Sequence, residues 1–237
     1  MSLKVTTFSS KGRATRIYSY KTNKIHNLQS DNQLRAFLLL EWDDRVKNIK
    51  ENVTLDDLEA TLYNSENLRL DKFKDKETGD LYKLHTNFLI KILTKDKREE
   101  IIALSVKNES ELKRVTVIEK LEIERRYWKV KGIKFYVVTT DNQIDKQIVE
   151  NIKWVREALV DKYVKDKREI GENLYYYMQC RKTANLISVL NDFEKEQELK
   201  KGTALFIFRY LIAIKEIEID MKKNIDLNEN ISVLIKF

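Results

Sequence analysis

The chain has 237 residues, 42% of them hydrophobic, with no proline, five glycines and a net charge of +7. That length and apolar fraction suffice for one large globular domain or two small ones, and the mixed Lys and Glu surface is that of a soluble protein. A single cysteine, Cys180, excludes an internal disulfide and any cysteine-based zinc site. No apolar run approaches a membrane span and no signal-peptide core opens the chain, so a cytoplasmic protein is expected.

The first 28 residues carry Lys4, Lys11, Arg13, Arg16, Lys21 and Lys24 and no acid. A strand–turn–strand over 13–20 and 24–28 would gather these cations into a patch that meets phosphates. Lys11, Arg13, Arg16, Lys21 and Lys24 are therefore the candidate DNA-binding residues. A solvated basic face without a partner is the competing reading.

A helix is predicted over 30–41, because Ser30 or Asp31 can accept the unpaired amide protons of its first turn. Gln33 shares a stripe with Phe37 and Leu40, which points an amide towards the apolar side. Residues 56–80 are polar and predict a variable loop with one helical piece. A strand over 84–93 then puts Asn87, His85 and Leu89 on one face by the two-residue period. After a polar turn, residues 100–107 return antiparallel, with Ser105 and Lys107 opposite the apolar Ile102, Leu104 and Val106. A polar strand end beside a neighbour's amide makes a natural wall of a site.

A helix over 115–131 ends at Gly132, suited to a left-handed cap, and a buried strand follows over 133–138. Strand, helix and strand form a crossover that should be right-handed with parallel strands. Residues 144–164 read as a further helix with Ile148, Ile152, Val155, Leu159 and Tyr163 on one stripe. The best break lies at the polar 165–169 with Gly171. Beyond it, 173–198 and 203–214 look helical, and short strands at 217–221 and 232–237 would close a winged-helix-like module. The expected division is a domain over 1–165 and a smaller one over 166–237. Tyr175–Tyr177 and Phe206–Phe208 are core aromatics or a partner surface.

Several of these segments carry a resemblance. Gly12-Arg13, Arg16-Ile17-Tyr18-Ser19, Lys21-Thr22, His26, Ser30-Asp31 and Leu40-Glu41-Trp42 resemble TnsA, the endonuclease subunit of heteromeric cut-and-paste bacterial transposons. Glu119-Lys120-Leu121-Glu122-Ile123-Glu124-Arg125-Arg126-Tyr127-Trp128 and Glu150-Asn151-Ile152-Lys153-Trp154 extend the likeness. It implies an α/β, restriction-endonuclease-like fold with a mixed sheet flanked by helices, and a small helical C-terminal domain. It further implies metal-dependent nicking at transposon 5′ ends with Mg²⁺ or Mn²⁺. The implied partners are transposon-end DNA, a TnsB-like transposase and a TnsC-like ATPase that docks on the C-terminal domain, in a bacterial, nucleoid-associated protein.

The catalytic positions that the resemblance implies are Gln33, Asn87, Ser105 and Lys107, the first three as metal ligands. In the family Gln33 matches a Glu, Asn87 an Asp and Ser105 usually a Gln or Glu, while Lys107 is unchanged. Glu124 falls near the site by the same match. Amide oxygens can ligate but bring no charge, so the two principal ligands fall from about −2 to zero, and Mg²⁺ leans on that charge to lose its water. Cleavage that is absent or strongly impaired is the expectation. Deliberate exchange, natural loss of cleavage and ordinary half-buried amides are three ways to read the pair. A non-catalytic DNA-binding adaptor is the alternative function, and an unrelated nuclease-fold repair or restriction component a third.

Overall fold

The computed structural model describes residues 13–62, 66–160 and 164–236, so Lys11, Gly12 and Tyr163 lie outside the described residues. The chain divides into two compact units, Met1–Ile144 and Asp145–Phe237. This division falls ahead of the 165/166 boundary expected from the sequence.

In the first unit, β1 (Thr15–Ser19) and β2 (Lys24–Leu28) form an antiparallel hairpin. Helix α1 (Asp31–Trp42) follows, with Ser30 as its cap, its side chain accepting from Gln33 N. Strand β3 (Val46–Thr54) is an element the sequence did not announce. Its apolar residues, Val46, Ile49 and Val53, keep no two-residue period, and Asn52 takes a left-handed φ of 49° that breaks the alternation.

The short helix α2 (Leu58–Thr61) and a 3₁₀ turn at Leu70–Phe73 occupy the polar 56–80 stretch. Strands β4 (His85–Leu93) and β5 (Glu99–Lys107) form the expected hairpin. The short α3 (Glu109–Leu112) opens on an Asn108–Glu111 capping box. Helix α4 (Val115–Val130) then leads to β6 (Lys134–Thr139), and Gly132 sits at φ 69° where the turn requires it.

These strands make a four-stranded mixed sheet in the order β3-β4-β5-β6. The β3, β4 and β5 pairs are antiparallel and the β5–β6 pair is parallel, as a strand–helix–strand crossover demands. Tyr127 and Trp128 of α4 pack with Ala103, Leu84 and Phe73 in one apolar cluster. A helix-flanked mixed sheet of this kind is the restriction-endonuclease-like architecture anticipated from the sequence.

The second unit is helical. Helix α5 (Lys146–Arg156), capped by Asp145, runs into a 3₁₀ turn at Glu157–Leu159, shorter than the expected 144–164. The single helix expected over 173–198 is two, α6 (Lys167–Gln179) and α7 (Leu186–Glu196). Asn185 causes the break, because its side chain accepts from Ser188 N at 3.2 Å and starts a new helix. Helix α8 (Thr203–Ala213) packs against α6 closely enough that a Cβ on Gly171 would lie 3.1 Å from Leu211 Cδ2. Strand β7 (Glu218–Ile219), the turn of helix α9 (Ile231–Leu234) and β8 (Ile235–Lys236) close the unit with the antiparallel terminal pair expected. Ile207 and Phe208 are core residues, whereas Tyr176 is 65% exposed.

Candidate functional site

Strands β4 and β5 part company at one end, and the predicted site residues gather at that fork. Their ladder stops at the Phe88–Leu104 pair. One residue further on, Asn87 Oδ1 accepts a hydrogen bond from Val106 N at 2.7 Å, so an amide side chain stands in for the missing strand contact. Ser105 and Lys107 flank Val106 on the other prong.

The alternation of side chains also inverts here. Leu84 and Leu89 differ in parity, yet both pack on the α4 cluster. Thr86, not Asn87, turns to α4, where its hydroxyl donates to Glu124 Oε2 at 2.8 Å.

Gln33 reaches the same place from α1. It is 3% exposed, and both ends of its amide are engaged. Its Oε1 accepts from Gln29 N at 2.7 Å and its Nε2 donates to Asn52 Oδ1 at 3.2 Å. Asn52 Nδ2 in turn donates to Asn27 O at 2.8 Å. In register, Asn52 lies between the pairs Glu51–Phe88 and Val53–Thr86, across from Asn87. Asn87, Ser105 and Lys107 thus share the fork, and Gln33 is tied to Asn52, which lies across from Asn87 in the β3–β4 register.

Glu124 is the residue that sequence reasoning underrated. It is fully buried, and its Oε2 accepts from Ser105 Oγ at 2.5 Å as well as from Thr86. Trp128 Nε1 donates to Thr86 Oγ1 at 2.8 Å, completing a buried network. Glu124 Oε1 has no hydrogen bond, and Lys120 Nζ lies 3.8 Å from it. The signal was present: Glu124 sits three residues after Leu121 and four before Trp128, an acid in the apolar stripe of α4.

Cations crowd the two prongs. Burial, and then the charge of Lys120, holds the Lys107 ammonium below its ordinary pKa. Burial followed by Lys120 also lowers the pKa of the His85 imidazole. On the outer side of α4, hydrogen bonds from Arg125 and then Arg126 bring Glu122 down to about 2, although burial works against them. A carboxyl so depressed adds stability above its unfolded pKa near 4.5, lost as pH falls through about 2. Glu122→Gln is expected to flatten stability against pH within that acid window, measured by urea unfolding at fixed pH. An unchanged acid slope would show that the pair is screened at the surface.

The candidate DNA-binding residues separate. Arg13, Arg16 and Lys24 are exposed. Arg16 shares the outer face of the β1–β2 hairpin with Asn27 and with a Tyr18–Ile25 pair, 46% and 51% exposed. Lys21 is committed elsewhere: its ammonium donates to the carbonyls of Leu40, at 3.4 Å, and Asp43, at the C-terminal end of α1 where a cation is favoured. Behind the hairpin, buried His26 ties β2 to β3 through Glu51 Oε2 at 2.6 Å.

The chemistry of this donor set can be tested against a divalent cation. Mg²⁺ needs hard oxygens with carboxylate charge. Each amide oxygen at the fork already accepts a backbone N–H, each amide also presents an NH₂ that repels a cation, and Ser105 donates its proton to Glu124. No group of three His, Cys, Asp or Glu residues stands together among the described residues. Among the described residues, the one buried carboxylate oxygen without a hydrogen bond, Glu124 Oε1, is ion-paired with Lys120. These residues do not fit the metal.

Comparison with known proteins agrees with the architecture. Residues 43–140 match the TnsA-like endonuclease N-terminal family and residues 143–221 the TnsA endonuclease C-terminal family. Asn87, Ser105, Lys107 and Glu124 lie inside the first match, whereas Gln33 and the hairpin precede it. The chain is also 30% identical over 223 residues to the Transposon Tn7 transposition protein TnsA of Escherichia coli, across 93% of this chain and 78% of that protein.

Proposed function

The chain belongs to the TnsA endonuclease family, and we propose that it is a transposon-end subunit that binds DNA and docks partners with its own cleavage strongly impaired or lost. The observation that carries this reading is the state of the two amides. The resemblance puts Gln33 and Asn87 at the positions of the family's Glu and Asp, and their oxygens are occupied by Gln29 N and Val106 N. Water activation and clamping of a scissile phosphate by a metal need charge at those places. Lys107 alone supplies neither.

In this proposal transposon-end DNA is held by the hairpin, with Arg13, Arg16 and Lys24 on phosphates; Lys11 would join them, and Lys21 would hold the helix end behind them. A TnsB-like transposase joins the other strand, and a TnsC-like ATPase docks on the helical unit, where exposed Tyr176 offers an aromatic contact. The adaptor reading differs only in making the amide site the protein's natural state.

Binding of a short fluorescent duplex tests the DNA part. Arg13→Ala with Arg16→Ala is expected to weaken affinity roughly tenfold at physiological salt and to lower the slope of log K against log salt by about 2. An unchanged slope would remove the hairpin from the interface.

A further inference from the structure

The misfit between the fork and a divalent cation has a positive counterpart. The proposal rests on the DNA-binding reading and concerns how the fork takes part in it. A metal site in a nuclease is a cation that bridges protein carboxylates to a phosphate. Here the carboxylates are amides, and the cations are already built into the protein. Lys107 ends the β5 prong, partly buried, and its ammonium makes no hydrogen bond or ion pair among the described residues. Lys120 reaches in from α4, its side chain 29% exposed, and forms an ion pair at 3.8 Å with Glu124 Oε1.

Glu124 is the sole carboxylate in the buried network, and the charges of Lys120 and of Glu111 also act on Lys107. Glu111 is tied into the capping box of α3, accepting from Asn108 N at 3.0 Å. Asp56 acts on His85, and Lys83 beside it adds another cation. The NH₂ of Asn87 is left over after its oxygen meets Val106 N, which adds a neutral donor at the same opening.

We propose that the fork is a metal-independent phosphate site: Lys107 and Lys120 hold a DNA backbone phosphate directly, doing with ammonium groups what a divalent cation does in a cleaving relative. Such a site binds a strand without activating water, so it anchors DNA at the place where a nuclease would cut it. Two consequences distinguish it from a metal bridge. Affinity ignores Mg²⁺ and chelators, and it falls with salt in proportion to the phosphates contacted.

The test uses the full chain and a short fluorescein-labelled duplex, with affinity followed by anisotropy in Mg²⁺ and in EDTA. Equal affinity in the two, within about twofold, is expected, as is a loss of roughly one in the salt slope for Lys120→Gln. Lys107→Met should act likewise; the more exposed Lys120 keeps the test decisive if burial of Lys107 makes that variant fold poorly. Glu124→Gln removes the negative charge of the buried network and should tighten binding several-fold, a gain that structural damage would not produce. Binding that collapses in EDTA overturns the proposal. So does a salt slope untouched by Lys120→Gln in a chain whose Arg13 and Arg16 variants still lose affinity, which would leave the DNA reading intact. No binding by the unmodified chain would remove both.

Discussion

Truncating Glu124 to alanine is expected to destabilise the first unit by about 3–5 kcal/mol, the scale seen when one partner of a buried charged network is removed. The figure follows from what the carboxylate leaves behind. Ser105 Oγ and Thr86 Oγ1 both lose their acceptor inside the fold, at a cost of about 1–3 kcal/mol for each stranded group. Lys120 and Lys107 lose the nearest opposite charge while staying half-buried, and a void opens beside Trp128. Glu124→Gln separates these effects, because its amide oxygen still accepts from both hydroxyls and only the charge is gone. Its loss should be well under half that of the alanine variant. Urea unfolding followed by tryptophan fluorescence would measure both, and a loss under about 1 kcal/mol for the alanine variant would mean that the network does not bear on stability.

How much of this was legible in the sequence depends on which physical signal each element carried. The N-cap at Ser30, the hairpin of β4 and β5, and the crossover through α4 to β6 are written in local periodicity and in caps, and they were read with bounds shifted by a residue or two. Strand β3 escaped because its pairing is set by β4, not by its own pattern: VKNIKENVT is polar, and left-handed Asn52 scrambles its alternation. The split between α6 and α7 was available in Asn185, whose preference for a cap outweighs the apolar stripe around it. At the site, the family resemblance is what brings Gln33, Asn87, Ser105 and Lys107 forward. What they bond to was not legible. That Lys21 closes a helix, that Asn87 bridges two parting strands and that Glu124 gathers two hydroxyls are tertiary facts with no local trace. The Gln33–Asn52–Asn27 relay is another: Gln33 Nε2 donates to Asn52 Oδ1, and Asn52 Nδ2 to Asn27 O.

Restoring the charges should restore cutting. On transposon-end DNA with Mg²⁺ and a TnsB-like transposase, the unmodified chain is expected to leave the 5′ strand intact. The double variant Gln33→Glu, Asn87→Asp should nick it roughly 10³-fold faster or more, the scale of several kcal/mol of metal-borne transition-state stabilisation. The structure says that the variant should fold. A glutamate at position 33 keeps its acceptor bond from Gln29 N and gains from the N-terminal turn of α1, though it gives up the bond to Asn52, a loss of about 1 kcal/mol. Aspartate at 87 keeps the bond from Val106 N and exchanges an NH₂ that repels a cation for an oxygen that attracts one. The same exchange should reverse the chelator response of binding, since a metal would now help to hold the phosphate. Cutting by the unmodified chain would overturn the argument from donor chemistry. If neither chain cuts although both bind DNA, the distance from a working nuclease exceeds two residues, and Ser105, whose hydroxyl is directed to Glu124 instead of the opening, is the next position to change.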